Sequence, residues 1–175
     1  SFRRWPYAIR VRLALSYLDF NFELREIHLK NKPKVAIFRE QGTNGHKEMA
    51  NSFIQSGFEC HDLHTNDLID NPSALQTFDG LAICGGFSFG DVLGAGYGWA
   101  NKILYNEGIS SNMYKFFHNK HKFALGVCNG CQMLSHIKDL IPGAQHWPKF
   151  IQNTSNQFEA RQVNVNITKS NSILF

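Results

Sequence analysis

The sequence predicts an α/β fold in which a mostly parallel sheet is flanked by helices on both faces. Two observations predict it. Short apolar runs that suit buried strands alternate along the chain with stretches whose apolar residues recur at helical spacing. Several of these runs end in glycine-containing turns. With 175 residues, 43% of them hydrophobic, the chain is long enough for one domain with a sizeable core.

The expected elements follow one another in a regular order. Buried strands are predicted over 34–40, 58–65, 81–84 and 122–128. Helices are predicted over 46–57, over 98–108 and 111–119 with a break at Gly108, and over 131–140. The segment 158–168 alternates in polarity like a strand with one wetter face, and we expect it to begin a β-rich region. Sites in such sheets gather at the carboxyl ends of the parallel strands.

The chain divides near residues 31–34, where Pro33 stops a helix that arrives from the N-terminal side. We expect residues 1–32 to be a linker or an unmatched segment, and residues 33–175 to form one domain. Residues 1–30 hold six Lys and Arg against three acidic residues, a net charge of +3, which leaves +1 for the rest. This basic start is not a convincing targeting peptide, because Arg10 and Arg12 interrupt its apolar stretch.

Composition argues against several classes of function. A nearly neutral body with no stripe of interleaved basic and aromatic residues argues against a nucleic-acid partner. No run of about 18 apolar residues is present, so we expect no membrane span. Nothing marks the four cysteines as a secreted disulfide framework, and we therefore expect a reduced, cytoplasmic setting.

The stretch GVCNG at 126–130 is the thiol counterpart of the nucleophile elbow G-x-S-x-G. Because it joins an expected strand to an expected helix, Cys128 should lie on a tight, strained turn that pushes its side chain out of the sheet. Gly126 and Gly130 would avoid collisions there by lacking side chains. The helix N-terminus would favour the thiolate, and the backbone N–H of Asn129 would donate to an oxyanion beside the sulfur.

Two other interpretations of the cysteines are weaker. A C-x-x-C redox pair of Cys128 and Cys131 would leave the elbow glycines without a purpose. A zinc site would need two further ligands for a cysteine pair, and the C-H-x-x-H pattern of Cys60, His61 and His64 lies on an expected strand that points these side chains to both faces. Cys131 is most simply a small, buried hydrophobe on the helix.

A second glycine-rich stretch, ICGGFSFGDVLGAG at 83–96, follows the strand over 81–84. Its Gly85 and Gly86 can bring bare backbone N–H groups to the same end of the sheet as Cys128, which would complete an oxyanion pocket. The alternatives are a phosphate cradle or a flexible loop. A nucleotide phosphate site is unsupported because no G-x-x-x-x-G-K-[ST] motif occurs.

Together these motifs resemble the glutaminase domain of phosphoribosylformylglycinamidine synthase, a class I glutamine amidotransferase of purine biosynthesis with a flavodoxin-like α/β fold. The resemblance rests on GVCNGCQ and CGGFSFGDVLGAG and covers roughly residues 33–175. It extends through FREQGTNGHKEMA (38–50), GWANKILYN (98–106) and LIPGAQHWPKFIQNTSNQFEAR (140–161). The opening REQGTNG is more like the large, fused form of the enzyme than the small separate subunit.

The resemblance implies that the domain hydrolyses glutamine and passes ammonia to a synthetase domain of the same polypeptide or complex. There, ATP and formylglycinamide ribonucleotide become formylglycinamidine ribonucleotide. No cofactor is implied for this domain, since ATP and Mg²⁺ belong to the synthetase part. The implied roles are Cys128 as nucleophile, Gly86, Phe87 and Asn129 as the oxyanion hole, and Gln132, Ser155, Gln157 and Phe158 as substrate-binding residues.

The sequence departs from that pattern in its catalytic base. The family takes its histidine and glutamate from an H-x-E pair downstream of FEAR, whereas the last histidine here is His146 and the last glutamate Glu159. We therefore expect a domain incomplete at its C-terminus and, as an isolated chain, inactive. His136 cannot replace the missing base, since helical geometry carries it about 12 Å from Cys128. We expect both His136 and His146 to lie at the surface.

Two hypotheses from other classes remain. The chain could be an inactive docking module that keeps the fold without the chemistry. It could also be a thiol hydrolase of the nucleophile-elbow type that acts on another amide, in which case a histidine should contact Cys128.

Overall fold

The computed structural model describes residues 32–166, and at its centre lies a four-stranded parallel sheet. Its strands are β1 (Lys34–Arg39), β3 (Glu59–His64), β4 (Gly80–Ile83) and β6 (Phe123–Gly126), in the order β3-β1-β4-β6. A two-stranded antiparallel ribbon pairs β2 (Thr43–Asn44) with β5 (Gly85–Gly86). The α-helices are α1 (His46–Gln55), α2 (Thr65–Asp70), α3 (Tyr97–Leu104), α4 (Glu107–Phe117) and α5 (Asn129–His136). The predicted fold class is confirmed.

Both faces of the sheet are covered, which explains why β1 and β4 are apolar almost throughout. Alternation along β1 sends Ala36 and Phe38 to one face and Val35 and Ile37 to the other. The first face packs against side chains of α3, α4 and α5, including Trp99, Ile103, Met113, Phe116 and Met133. The second packs against Met49 and Phe53 of α1. Each fully buried large apolar side chain stabilises the fold by roughly 1.5–3 kcal/mol.

Because the four strands are parallel, their carboxyl ends share one edge of the sheet. Glu40 follows β1, Thr65 follows β3, Cys84 follows β4, and Val127 with Cys128 follows β6. The register keeps the last residues of neighbouring strands level, with Ile83 opposite Gly126. This edge therefore gathers both glycine-rich stretches.

The predicted helix break at Gly108 is wrong. Helix α3 ends at Leu104, and α4 begins at Glu107 because the side chain of Asn106 accepts a hydrogen bond from the Ile109 N–H at 3.0 Å. Gly108 lies inside the first turn of α4, where a Cβ would come within 3.0 Å of Pro72 Cγ. The glycine permits a close approach of two segments and does not end a helix.

The predicted strand over 158–168 is also absent from its described part. Residues 158–166 form no strand and are exposed. Alternating polarity produces a strand only where a neighbouring edge supplies hydrogen-bond partners. Within residues 32–166 no strand pairs with the outer edge of β6.

Other expectations concern residues that the structure does not describe. The predicted linker over 1–32 falls almost wholly in residues 1–31, which the structure does not describe. The end of the predicted strand over 158–168 falls in residues 167–175, which it does not describe either. Among residues 32–166, no helix has both the length and the apolarity needed to cross a membrane.

Candidate active site

Cys128 occupies the turn between β6 and α5, as the sequence predicted. Its backbone has φ 53° and ψ −113°, a conformation that is strained for any residue with a side chain. Two backbone hydrogen bonds hold the turn: the Val127 N–H donates to Ile83 O at 3.1 Å, and the Gly130 N–H donates to Val127 O at 2.9 Å. The strained turn leaves Cys128 exposed at the carboxyl edge of the sheet.

The two elbow glycines have the steric role that the sequence predicted. A Cβ on Gly130 would lie 2.5 Å from Ile83 O and 2.8 Å from Cys84 O, in the backbone that follows β4. A Cβ on Gly126 would lie 2.6 Å from Leu134 Cδ1 and 3.0 Å from the amide nitrogen of Cys131. The first turn of α5 can therefore press directly on the sheet only without these side chains.

The glycine-rich stretch after β4 lies beside the thiol. A Cβ built on Gly85 would be 3.1 Å from Cys128 Cβ and 3.8 Å from its Sγ. In the ribbon, Thr43 stands opposite Gly86, and the Phe87 N–H donates to Gly42 O at 2.9 Å. That bond makes Thr43 and Gly86 a non-hydrogen-bonded pair, so the Gly86 N–H points away from β2. The Phe87 N–H is engaged, whereas the Gly86 N–H is directed away from the ribbon.

A relay of side chains joins this loop to helix α5. The Ser88 N–H donates to Asn129 Oδ1 at 3.2 Å, and Asn129 Nδ2 donates to Gln132 Oε1 at 3.1 Å. Because a backbone N–H can only donate, it fixes which way the Asn129 amide faces, and Asn129 in turn fixes Gln132. The Gln132 Nε2 group is left as a donor, and no partner for it is found among residues 32–166. Asn129 is buried, with 1% of its surface exposed.

A second backbone donor lies at the start of the helix. The Asn129 N–H precedes the ordinary hydrogen bonding of α5 and has no partner in the part of the chain that the structure describes. Together with the Gly86 N–H, it gives two backbone amides that have no partner among residues 32–166, next to a strained, exposed cysteine. Two such donors beside a thiol could stabilise an oxyanion.

Comparison with known proteins agrees with this geometry. Residues 32–175 match the model of the CobB/CobQ-like glutamine amidotransferase domain. The chain belongs to this glutamine amidotransferase family. A solved structure titled "Structure of PurLQS from Thermotoga maritima" matches with a TM-score of 0.51 and 25% identity, over 71% of this chain and 50% of that one. The chain therefore spans about half the length of that structure.

The amidotransferase domain does not bring three of the expected substrate-binding residues to the elbow. Ser155, Gln157 and Phe158 lie on an exposed, irregular segment, and Phe158 is 93% exposed. Their hydrogen bonds are local: Ser155 Oγ donates to Glu159 Oε1 at 2.6 Å, and Gln157 O accepts from Asn153 Nδ2 at 2.9 Å. Of the four, the described structure places only Gln132 in the site.

The domain supplies no base for Cys128 from residues 32–166. No histidine among them hydrogen-bonds Cys128 Sγ, so the contact that would have favoured the thiol-hydrolase hypothesis is not found there. His146 is exposed as predicted, but the surface prediction is wrong for His136, whose ring packs on Tyr97 at 4.9 Å. Its Nε2 is buried and has no partner in the described part of the chain.

The other cysteines differ from Cys128 in their surroundings. Cys131 is exposed, so the prediction of a buried hydrophobe is wrong: the short helix turns this position outward. Its pKa is raised from the ordinary value, first by partial burial of the sulfur and second by the neighbouring Cys128. Burial also raises the pKa of Cys60. These thiols are therefore weaker nucleophiles near neutral pH than unperturbed ones.

The metal interpretation gains no support. His61 Nε2 lies 2.7 Å from Glu59 Oε1, and His64 faces Glu40, so the C-H-x-x-H residues have separate partners. No group of three or more His, Cys, Asp and Glu side chains within 32–166 could hold an ion.

Cys84 makes the fold sensitive to alkali. It is fully buried, and burial raises its pKa to about 11 from an ordinary 9.0. The unfolded thiol loses its proton first, so stability is fully present below pH 9 and falls as the pH rises toward 11. At 1.36 kcal/mol per pKa unit the loss is about 2–3 kcal/mol. We expect Cys84→Ala to lack this loss when the denaturant unfolding free energies at pH 8 and 11 are compared.

Sequence reasoning missed the side-chain relay and the role of residues 40–43. Asn129 was assigned only its backbone N–H, and Ser88 no role at all. The stretch REQGTNG stood out only through the family resemblance. Its contacts, which join the end of β1 to the Gly86 loop, arise from tertiary packing that no local pattern encodes.

Proposed function

We propose that this chain is the glutamine-hydrolysing domain of a phosphoribosylformylglycinamidine synthase. The overall reaction converts formylglycinamide ribonucleotide, ATP and glutamine to formylglycinamidine ribonucleotide, ADP, phosphate and glutamate. Family membership supports glutamine as the substrate. The specific motifs of the sequence and the likeness to the Thermotoga maritima structure support the synthase. Neither the docking module nor another thiol hydrolase is favoured by a specific contact.

In the proposed mechanism, the Cys128 thiolate attacks the side-chain amide carbon of glutamine. The new C–S bond moves the carbonyl electrons onto oxygen, and the N–H groups of Gly86 and Asn129 stabilise that oxyanion. Collapse of the intermediate breaks the C–N bond and releases ammonia, once the leaving nitrogen is protonated. Water then attacks the glutamyl thioester, which gives glutamate and the free thiol. The engaged Phe87 N–H favours Gly86 as the loop donor.

Substrate binding is proposed to begin at Gln132. Its Nε2 group is a hydrogen-bond donor, oriented by the bond from Asn129 to Gln132 Oε1, and it suits a carbonyl or carboxylate oxygen of glutamine. Ser155, Gln157 and Phe158 remain candidates for the α-amino and carboxylate end by resemblance alone. They would have to approach the elbow from their exposed segment to contact the substrate.

The remaining parts of the reaction are proposed to lie outside residues 32–166. The thiol needs a base, and we propose a histidine backed by a carboxylate that is not among the described residues. The synthetase domain is the partner that receives ammonia and binds ATP and Mg²⁺. A cytoplasmic setting fits this route.

The observation that carries the proposal is a strained, exposed Cys128 flanked by two backbone amides that have no partner among residues 32–166. A chloroketone analogue of glutamine tests it, because thiolate attack forms a C–S bond and expels chloride. We expect peptide mapping to find the label on Cys128, with protection by glutamine but not by glutamate or asparagine. Label spread over Cys60, Cys128 and Cys131 without protection by glutamine would contradict the proposal.

A further inference from the structure

Glu40, which directly follows β1, is a buried carboxylate at the active edge of the sheet. Its side chain is only 1% exposed. Lys102 Nζ lies 2.9 Å from Glu40 Oε2, and His64 Nε2 lies 3.4 Å from Glu40 Oε1. The Gln41 N–H also donates to Oε1, at 2.8 Å. The carboxylate is therefore held by one cation and one backbone amide, and an imidazole lies close to it.

The partners of Glu40 are themselves fixed. Asn66 accepts from Lys102 Nζ at 2.6 Å through its side-chain oxygen, and its N–H donates to His64 Nδ1 at 3.1 Å. Since Nδ1 accepts, Nε2 is the ring nitrogen that carries a proton, and it is the one that lies 3.4 Å from Glu40 Oε1. Lys102 also lies over the ring of Phe89, 5.6 Å from its centroid. The residues after β1 and β3, with helix α3, thus converge on one buried carboxylate.

Fold stability alone is a poor reason for this arrangement. Taking both members of an ion pair out of water costs several kcal/mol per ion, and well-packed apolar replacements are often as stable or more so. A buried pair at this position points instead to a requirement for one fixed geometry in its neighbourhood.

That neighbourhood is the loop that carries the Gly86 amide. Immediately after Glu40, Gln41 O accepts from the Phe89 N–H and Gly42 O accepts from the Phe87 N–H, both at 2.9 Å. The approach is so close that a Cβ on Gly42 would lie 2.2 Å from Phe87 O. The Glu40 carboxylate holds the Gln41 N–H, the next peptide groups hold residues 87 and 89, and those residues fix the direction of Gly86.

We infer that Glu40 is a positioning residue for oxyanion stabilisation at Cys128. Anchored by Lys102, with His64 nearby, its carboxylate fixes the backbone of residues 41–43, which in turn fixes the Gly86 N–H beside the thiol. The inference deepens the proposed glutaminase function and rests on it. It gives the REQG stretch a role in catalysis through the loop, without contact with the substrate.

The test compares two alkylating reagents on the same cysteine. The chloroketone analogue of glutamine places its carbonyl oxygen in the oxyanion site, whereas iodoacetamide needs only an accessible thiolate. Since removing one oxyanion donor costs about 10²–10³-fold, we expect Glu40→Gln to slow chloroketone labelling of Cys128 by about ten- to a hundredfold. Its iodoacetamide rate should stay within about twofold of the wild type, because the elbow is intact.

A second variant separates positioning from folding. The double variant Glu40→Leu with Lys102→Met removes both charges, so no unpaired ion is left buried and the fold should persist, as circular dichroism would verify. We expect it to fold as stably as the wild type while its chloroketone rate falls at least as far as that of Glu40→Gln. The matched control is Asp62→Asn, which breaks the surface pair of Arg39 and Asp62 and should change neither rate.

The outcomes distinguish a failure of the positioning role of Glu40 from a failure of the proposed glutaminase function. Unchanged chloroketone rates in both folded variants would overturn the positioning role while leaving glutaminase function intact. An equal fall with both reagents would also overturn it, since the elbow itself would be disturbed. If wild-type Cys128 showed no glutamine-protected labelling at all, the proposed function would fail first, and the inference with it.

Discussion

Replacing Cys128 with serine should abolish glutamine-dependent amidation in a complete synthase that carries this chain. A serine hydroxyl stays protonated near neutral pH, and the site that suits a thiolate offers it no stronger base. Loss of a catalytic nucleophile typically costs 10⁴-fold or more. With ammonium salts in place of glutamine, synthesis should continue at about the wild-type rate, because ammonia enters after the step that needs Cys128. The measurement is product formation with each nitrogen source.

Cys131→Ser is the matched control, three residues along the same helix. Cys131 is exposed, and its raised pKa keeps it protonated to higher pH, so we expect its replacement to leave both activities within about twofold of the wild type. Equal loss in the two variants would point to a C-x-x-C redox pair. Loss of the ammonia-dependent reaction in Cys128→Ser would place Cys128 in the synthetase step or in folding.

The fold class and the elbow could be predicted because each depends on a local pattern. Apolar runs such as 34–40 become buried strands wherever both faces of a sheet are covered. A cysteine between glycines at a strand-to-helix junction has few alternatives, since only glycine permits the approach that Gly130 makes to Ile83 O. The sterics of the turn therefore act over a few residues and are visible in the sequence.

The errors arose where distant residues decide the outcome. Cys131 was expected inside, but the side of α5 that faces the sheet depends on where the helix begins, and it begins at Asn129. The oxyanion-hole assignment of Phe87 stays a prediction, but no local pattern showed that its N–H would donate to Gly42 O, in a loop more than forty residues earlier. The failed strand over 158–166 shows the same dependence on a partner edge.

Gly130→Ala should cost about 2 kcal/mol of folding stability, although helix propensity predicts the opposite sign. Alanine in a helix interior is favoured over glycine by about 1 kcal/mol. Against this gain, the added Cβ would lie 2.5 Å from Ile83 O and 2.8 Å from Cys84 O, which are backbone atoms that no side-chain rotation can move. Overpacking of this kind typically costs 1–3 kcal/mol and occasionally more. The upper end of that range, less the gain in helix propensity, leaves a net loss of about 2 kcal/mol. We expect the melting temperature to fall by about 4–8 °C.

The same substitution should slow glutamine-directed labelling more than iodoacetamide labelling, because pushing α5 off the sheet moves the Asn129 N–H away from the position of the oxyanion. Gly143→Ala is the control for backbone strain without collision. Its φ of +78° disfavours a side chain, but nothing lies within 4 Å of the added Cβ. It should cost about 1–2 kcal/mol and leave the ratio of the two labelling rates unchanged. If Gly130→Ala were as stable as the wild type and labelled at the same ratio, the elbow could not be the tightly packed turn that holds Cys128 beside its oxyanion donors.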